Sequence, residues 1–248
     1  MTSNWLNWLI LSAQELGLNY QFLRDDFDRH ALILGVQVSL ALVCISVCLS
    51  LLCSVGFLLG LQSHSRLIAL SVRGFVEFLR NTPTLVQLYV AYLVFNTCLT
   101  QWIAALGWSN PLSAFWWAVL VLSIHKAAFH ADALRASFHA LPSTLRESAL
   151  TLGFSRWQVF FYFEMPLVVR AALPSLINNL IDLAKASSVA SAIAVADFTY
   201  ASIMIWSERD NVFELMLLLL AFYSLLTFFL NYIGRFLENR LSIPGYGR

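Results

Sequence analysis

PSTLRESALTLGFSRWQVFFYFEMP, residues Pro142 to Pro166, reads as two short helices joined at a glycine. Thr144 with Glu147 three residues on has the form of a capping box, which places a helix start near Leu145. Gly153 suits the left-handed position that stops such a helix. Ser155 with Gln158 repeats the capping pattern, and Pro166 marks the expected end of the second helix. Leu145, Ser148, Ala149 and Leu152 share one face of the first helix, small and apolar. Small side chains let another backbone come close, so the stretch is a candidate docking element.

Its surroundings make the hairpin a loop of a membrane protein. The chain is 59% hydrophobic and 12% charged, against roughly 25% charged in a typical soluble domain. Ala31 to Gly60 runs thirty residues without a formal charge, more than the ~20 needed to span. Thr84 to Leu99 supplies only sixteen apolar residues, about 24 Å of helix against a hydrocarbon core of roughly 30 Å. That span is therefore expected to draw on the preceding amphipathic segment, giving a helix over about 66–99. Arg73–Glu77 and Glu77–Arg80 stand at helix-neighbour spacing in it, and Asn81-Thr82-Pro83 interrupts or kinks it. Further spans are expected over about 112–140, 167–194 and 212–234. The expectation is an all-α membrane protein with five transmembrane helices in one transmembrane region, 31–240. Loop 141–166 lies inside that region, and 241–248 forms a tail. Residues 1–30, with Trp5, Trp8 and Tyr20, read as an interfacial lead-in without the basic opening of a secretory signal. Residues 197–214 read as a polar loop. Cys44, Cys48, Cys53 and Cys98 sit in or beside apolar segments as packing residues, with no metal-ligand pattern.

Charge sets the orientation. With the N-terminus outside and the C-terminus in the cytoplasm, ten arginines fall inside, from Arg66 to Arg248, and three outside: Arg24, Arg29 and Arg209. The positive-inside rule favours that arrangement, which sends the 142–166 hairpin into the cytoplasm.

Polar residues within the spans are the other candidates. A lysine near the bilayer centre costs roughly 2.5–3.5 kcal/mol, so Lys126 is expected to face the bundle. Lys126 and His130 share a face, four residues apart. Lys126 reads either as half of a buried ion pair, for instance with Asp182, or as a contact for a substrate carboxylate. His125 and His130, five apart, diverge by about 140° and make a poor metal pair. Asn178, Asp182, Lys185 and Ser188 form one hydrophilic stripe, either helix–helix glue or the lining of a translocation path. The break at Thr82-Pro83, with Gln87 beyond it, reads either as a plain kink or as a pathway-lining discontinuity.

Two chemistries have no sequence support. Both lysines lack the preceding glycine of a phosphate-cradling loop, so no ATP site of that kind is expected, and no nucleophile–base constellation stands out. Energy must come from an ion gradient or from a partner. The near-zero net charge points to no nucleic acid.

Glu147-Ser148-Ala149, three residues, Gly153, nine residues, then Phe163-Glu164-Met165-Pro166 resembles the EAA loop of ABC-importer permease subunits. Arg80-Asn81-Thr82-Pro83-Thr84-Leu85-Val86-Gln87-Leu88 resembles the R-G-T-P-L-L-V-Q-L stretch of the polar amino-acid branch, of histidine, arginine and glutamine type. Ala128-Phe129-His130-Ala131-Asp132 resembles its A-Y-x-A-E, and Leu173-Pro174 through Ile193 follows its ALPALGN…LLKDTSLVSVI pattern. The departures are Ser148 for Ala, Asn81 for Gly, Ala186 for Asp, and His125-Lys126 for a small polar pair. The resemblance implies a type I importer permease fold in a bacterial cytoplasmic (inner) membrane. It implies a second permease subunit, identical or different, two ATP-binding subunits that hold ATP and magnesium, and an extracytoplasmic solute-binding protein. It assigns ATPase coupling to Glu147, Ser148, Ala149, Gly153, Phe154, Ser155, Arg156 and Trp157, and leaves this chain without a cofactor or catalytic residue. A polar amino acid or related zwitterion is the implied solute. The competing expectation is a stand-alone ion-coupled carrier or channel using Lys126, Asp132, Asp182 and Lys185.

Overall fold

The computed structural model describes residues 4–15 and 17–241. The Trp5 side chain and residues 242–248, including Arg248 and most of the expected tail, lie outside the described residues. The element order is α1 (Asn4–Glu15), a 3-10 turn (Gln21–Arg24), α2 (Asp26–Leu61), α3 (Arg66–Asn81), α4 (Thr84–Tyr89), a π-helical segment (Val90–Phe95), α5 (Asn96–Ala105) and α6 (Ala114–His139). There follow α7 (Ser143–Thr151), α8 (Arg156–Gln158), a second π-helical segment (Val159–Glu164), α9 (Met165–Ala186), a 3-10 segment (Ser187–Ile193), α10 (Phe198–Arg209) and α11 (Val212–Leu241). Among the described residues, five helical runs are long and apolar enough to cross a membrane: Asp26–Leu61, Thr84–Ala105, Ala114–His139, Arg156–Ile193 and Val212–Leu241.

Several elements differ from expectation. No single helix covers 66–99. Thr82 is extended, with φ −111° and ψ 140°, because the residue before a proline avoids the helical region. The helix restarting at Thr84 continues through Thr97, Thr100 and Gln101 to Ala105. The second span is thus 22 residues long without α3. Within this polar extension Thr97 and Thr100 donate to the carbonyls of Leu93 and Asn96, each at 2.7 Å, so their hydroxyls are satisfied inside the helix. The expected loop over 197–214 holds α10. Asp197 accepts the Tyr200 N–H at its start, and Asp210, at φ +54°, closes it.

By internal contacts the chain forms two compact units. The first comprises Met1–Ile45, Thr84–Val121 and Ala184–Thr227. Its core gathers Phe22, Leu32, Phe198, Ile205 and Leu215. A Cβ at Gly35 would stand 2.9 Å from the Asp197 carbonyl oxygen and from Phe198 Cα, so α2 can pass this close to the start of α10 only with glycine there. Ser39 Oγ accepts the Phe198 N–H at 3.0 Å at the same crossing. Arg209 ion-pairs with Asp25 and, at 2.7 Å, with Asp28, while the Asn19 N–H donates to Glu214 at 2.7 Å. Asn96 Oδ1 accepts from both Asn110 Nδ2 and Trp117 Nε1 at 2.8 Å, anchoring the approach to α6.

The second unit comprises Ser46–Pro83, Leu122–Leu183 and Phe228–Arg248. Leu58, Leu134, Phe160, Val168, Ala172 and Leu176 form one core cluster, and Val76, Leu79 and Ala128 another. The exposed pair Arg73–Glu77 forms at 3.1 Å. Arg80 does not join it: its guanidinium meets Asp132 at 3.0 Å.

Candidate functional site

The 142–166 hairpin lies within the second unit, and its joint is well defined. The Phe154 N–H donates to the Ala149 carbonyl at 3.3 Å and the Gly153 N–H to Leu150 at 3.0 Å, with Gly153 at φ +88°. That pair of bonds around a left-handed glycine is a Schellman stop. Ser155 then forms a complete capping box: its Oγ accepts the Gln158 N–H at 3.3 Å, and Gln158 Oε1 accepts the Ser155 N–H at 2.8 Å.

The first expected capping box does not form. The helix starts earlier, at Ser143, with extended Pro142 as its N-cap and no side-chain cap. Thr144 and Glu147 are therefore both inside the helix, out of reach of its orphan N–H groups. Nor does Pro166 end a helix. The run from Arg156 to Ile193 is continuous, and the π-helical turn Val159–Glu164 ends two residues before the proline. A proline removes the donor to the carbonyl four residues back and crowds it, and a widened turn absorbs both defects. The hairpin is thus welded directly to a span.

Exposure divides the expected coupling residues. Ala149 is 3% exposed and packs inward, so it offers no face to a partner. Glu147, Ser148, Gly153, Phe154, Ser155, Arg156 and Trp157 are exposed, as is every residue from Thr151 to Gln158. Phe154 packs edge-on to Phe163 at 5.0 Å, and Trp157 stacks on Phe161 at 6.0 Å and 17°. Beneath them Arg146 Nε reaches Glu164 Oε1 at 2.7 Å, and its guanidinium lies over the Phe138 ring at 5.2 Å. The Arg146–Glu164 pair ties α7 to the π-helical turn across 18 residues of sequence. It was not legible beforehand, because Glu164 stood out only as part of the motif ending in Pro166.

The candidate pathway residues divide between the two units. In the second, Lys126 is 8% exposed with its Nζ 5.0 Å from the Phe129 ring centroid. His130 is fully buried, and neither ring nitrogen has a hydrogen-bond partner among the described residues. Thr82 Oγ1 donates to the Phe78 carbonyl at 2.8 Å, and Pro83 is exposed. Asn178 and Asp182 are exposed on α9. In the first unit, Gln87 is half-buried, Lys185 is exposed, and Ser188 falls in the 3-10 segment, where its hydroxyl donates to the Lys185 carbonyl at 2.9 Å. Asn178, Asp182 and Lys185 thus face out of the chain. Asp197, treated above as one acid of a polar loop, is instead wholly buried, with Oδ2 unpartnered among the described residues. Burial raises its carboxyl to about 7, against the pull of backbone N–H bonds from Tyr200, Thr199 and its own amide.

Residues 53–243 match the family described as the binding-protein-dependent transport system inner membrane component. The chain belongs to that family. It is therefore a multi-pass membrane component of a multi-subunit transport system and is not itself the ATPase; the stand-alone carrier reading finds no support. Among its relatives is the octopine transport system permease protein OccM of Rhizobium radiobacter, 27% identical over 84% of this chain and 84% of that one. The glutamine transport system permease protein GlnP of Escherichia coli is 30% identical over 68% of this chain and 74% of the relative. A crystal structure of an amino acid ABC transporter with histidines superposes with a TM-score of 0.72, at 26% identity, covering 90% of this chain and 100% of that one. The MetNI methionine ABC transporter, at 15% identity and a TM-score of 0.71, shares the fold.

Proposed function

We propose that this chain is the permease subunit of an ATP-driven importer for a polar amino acid or a related small zwitterion. The observation that carries the reading is the exposed knuckle Thr151–Gln158, stopped by a left-handed glycine, reset by a complete capping box, and continuous with a 38-residue helical run. A rigid handle on a long helix suits the transmission of force from a partner that closes and opens on ATP. Glu147, Ser148, Gly153, Phe154, Ser155, Arg156 and Trp157 form the contact face toward the ATPase, and Ala149 supports it from within. Two permease subunits, two ATP-binding subunits and an extracytoplasmic solute-binding protein make up the working assembly, in a bacterial cytoplasmic membrane with the C-terminus inside. ATP and magnesium belong to the partner. The amino-acid specificity rests on the named substrates of the relatives together with the polar faces of α6 and α9. Thr82, Pro83, Gln87, Lys126, His130, Asn178, Asp182, Lys185 and Ser188 are the candidate pathway residues.

Reconstitution tests this. Proteoliposomes holding the permease, its cognate ATPase and the binding protein take up a radiolabelled polar amino acid in an ATP-dependent, vanadate-sensitive manner, and the permease alone takes up none. Uptake by the isolated chain driven by an ion gradient refutes the proposal.

A further inference from the structure

Asp197 is a buried acid to which the transport reading gives no task. It is 0% exposed and stands at the start of α10, where that helix crosses α2. Its Oδ1 caps the helix by accepting the Tyr200 N–H at 2.8 Å. Its Oδ2 is buried and has no hydrogen-bond partner among the described residues. Hydroxyls crowd the crossing, yet their bonds lie elsewhere. Ser187 Oγ donates to the Ala184 carbonyl and Ser202 Oγ to the Phe198 carbonyl, each at 2.8 Å. Thr199 Oγ1 and Tyr223 OH share a hydrogen bond at 2.9 Å, with Ser39 and Ser187 also beside the phenol. Ser39 Oγ in turn accepts the Phe198 N–H at 3.0 Å.

An ionised carboxyl here would hold one anionic oxygen with no donor facing it, and a buried charge without a partner is far costlier than the neutral acid. No cation offsets it. The body of α2, from Ala31 to Gly60, carries no formal charge and presents Ser39. On α10, Glu208 and Arg209 stand at the opposite end, where Arg209 is paired with Asp25 and Asp28. On α11, Tyr223 is the titratable group facing Asp197, while Glu214 is engaged by the Asn19 N–H. Burial therefore prevails over the backbone N–H bonds that favour the charged form.

We propose that a proton on Asp197 works as a latch: with it, the start of α10 docks on Gly35 and Ser39 of α2, and without it that end of the helix is released. The departing proton passes to water, and the carboxylate takes up water as its missing donor. Because the residue is fully buried, hydration requires the crossing to part. Arg209 holds the other end of α10, so release frees one end only. The docked carboxyl titrates at about 7 and the freed one at its ordinary 3.8. Docking is thus fully favoured below about pH 4, and opening grows by up to about tenfold per pH unit until it levels off above about pH 7. The latch depends neither on the solute carried nor on the importer reading, so either can fail without the other.

The test follows hydrogen exchange by mass spectrometry in peptides covering 198–203, with the assembled complex in lipid nanodiscs. In the wild type, opening of these amides, corrected for intrinsic exchange, rises by at least about tenfold between about pH 5 and about pH 7. Asp197→Asn keeps the acceptor for Tyr200 but cannot ionise, and its opening is the same at both pH values. Asp28→Asn removes the buried acid at the far end of α10 and keeps the wild-type rise. If Asp197→Asn fails to assemble, Asp28→Asn decides. Opening that is independent of pH in the wild type, or an undiminished rise in Asp197→Asn, overturns the proposal. Loss of the rise in Asp28→Asn assigns the response to the ionic end and equally overturns it.

Discussion

Asp197 shows at the scale of one residue how burial and chemistry collide. Its Oδ1 is fixed by the Tyr200 N–H at 2.8 Å, and its backbone is pressed against Gly35. Desolvation of Oδ2 carries the carboxyl from 3.8 to about 7. A folded-state value above the unfolded one means the group stabilises the fold fully below about pH 4, and that this contribution is lost as pH rises through about 7. Asp197→Asn keeps the acceptor for Tyr200 and cannot ionise. The melting temperature of the wild-type complex should therefore fall more steeply than the variant's as pH rises through that window. The difference corresponds to a few kcal/mol at most, since a tenfold change in proton affinity is worth ~1.4 kcal/mol. Parallel melting curves would show that the carboxyl is not held in its neutral form. Nothing in the sequence marked Asp197 out from Glu208, Asp210 and Glu214. Its burial comes from a helix crossing made by residues some 160 positions apart, and local pattern does not encode that.

Among elements, the hairpin was legible where its chemistry is local and illegible where it is not. The Gly153 stop and the Ser155–Gln158 box depend on residues within five positions of one another, and both form. The Thr144–Glu147 box fails because Pro142, extended at φ −61° and ψ 133°, claims the N-cap and starts the helix early. The second span was read as short because the apolar run stops at Leu99, yet the helix carries on through Thr100 and Gln101 to Ala105, with the Thr100 hydroxyl satisfied by the Asn96 carbonyl. The two π-helical turns have no sequence signature beyond the nearby Pro166. Gly153→Ala tests the joint. Holding a Cβ at φ +88° costs roughly 1–2 kcal/mol, so the knuckle should lose order. Co-purification of the ATPase should drop several-fold while membrane insertion of the permease stays intact. Unchanged co-purification would mean the joint's geometry does not set the docking.

For the whole molecule, composition carried the class and the five spans, because a chain 59% hydrophobic must satisfy its backbone inside helices. Orientation is argued from arginines alone, and labelling can test it. A cysteine introduced at exposed Glu147, in a variant with Cys44, Cys48, Cys53 and Cys98 replaced, should react with an impermeant maleimide only after the cells are opened. One introduced at Asp210 should react in intact cells. The reverse pattern would invert the topology and place the hairpin away from any cytoplasmic motor. The π-helical turn at Val159–Glu164 also bears on engineering. Each α-helical residue advances the azimuth by about 100°, so the wide turn sets the rotational phase between the knuckle and everything beyond Pro166. A chimera that grafts a relative's knuckle one residue shorter here would present the right surface in the wrong direction, a fault that matching the interface residues could not repair.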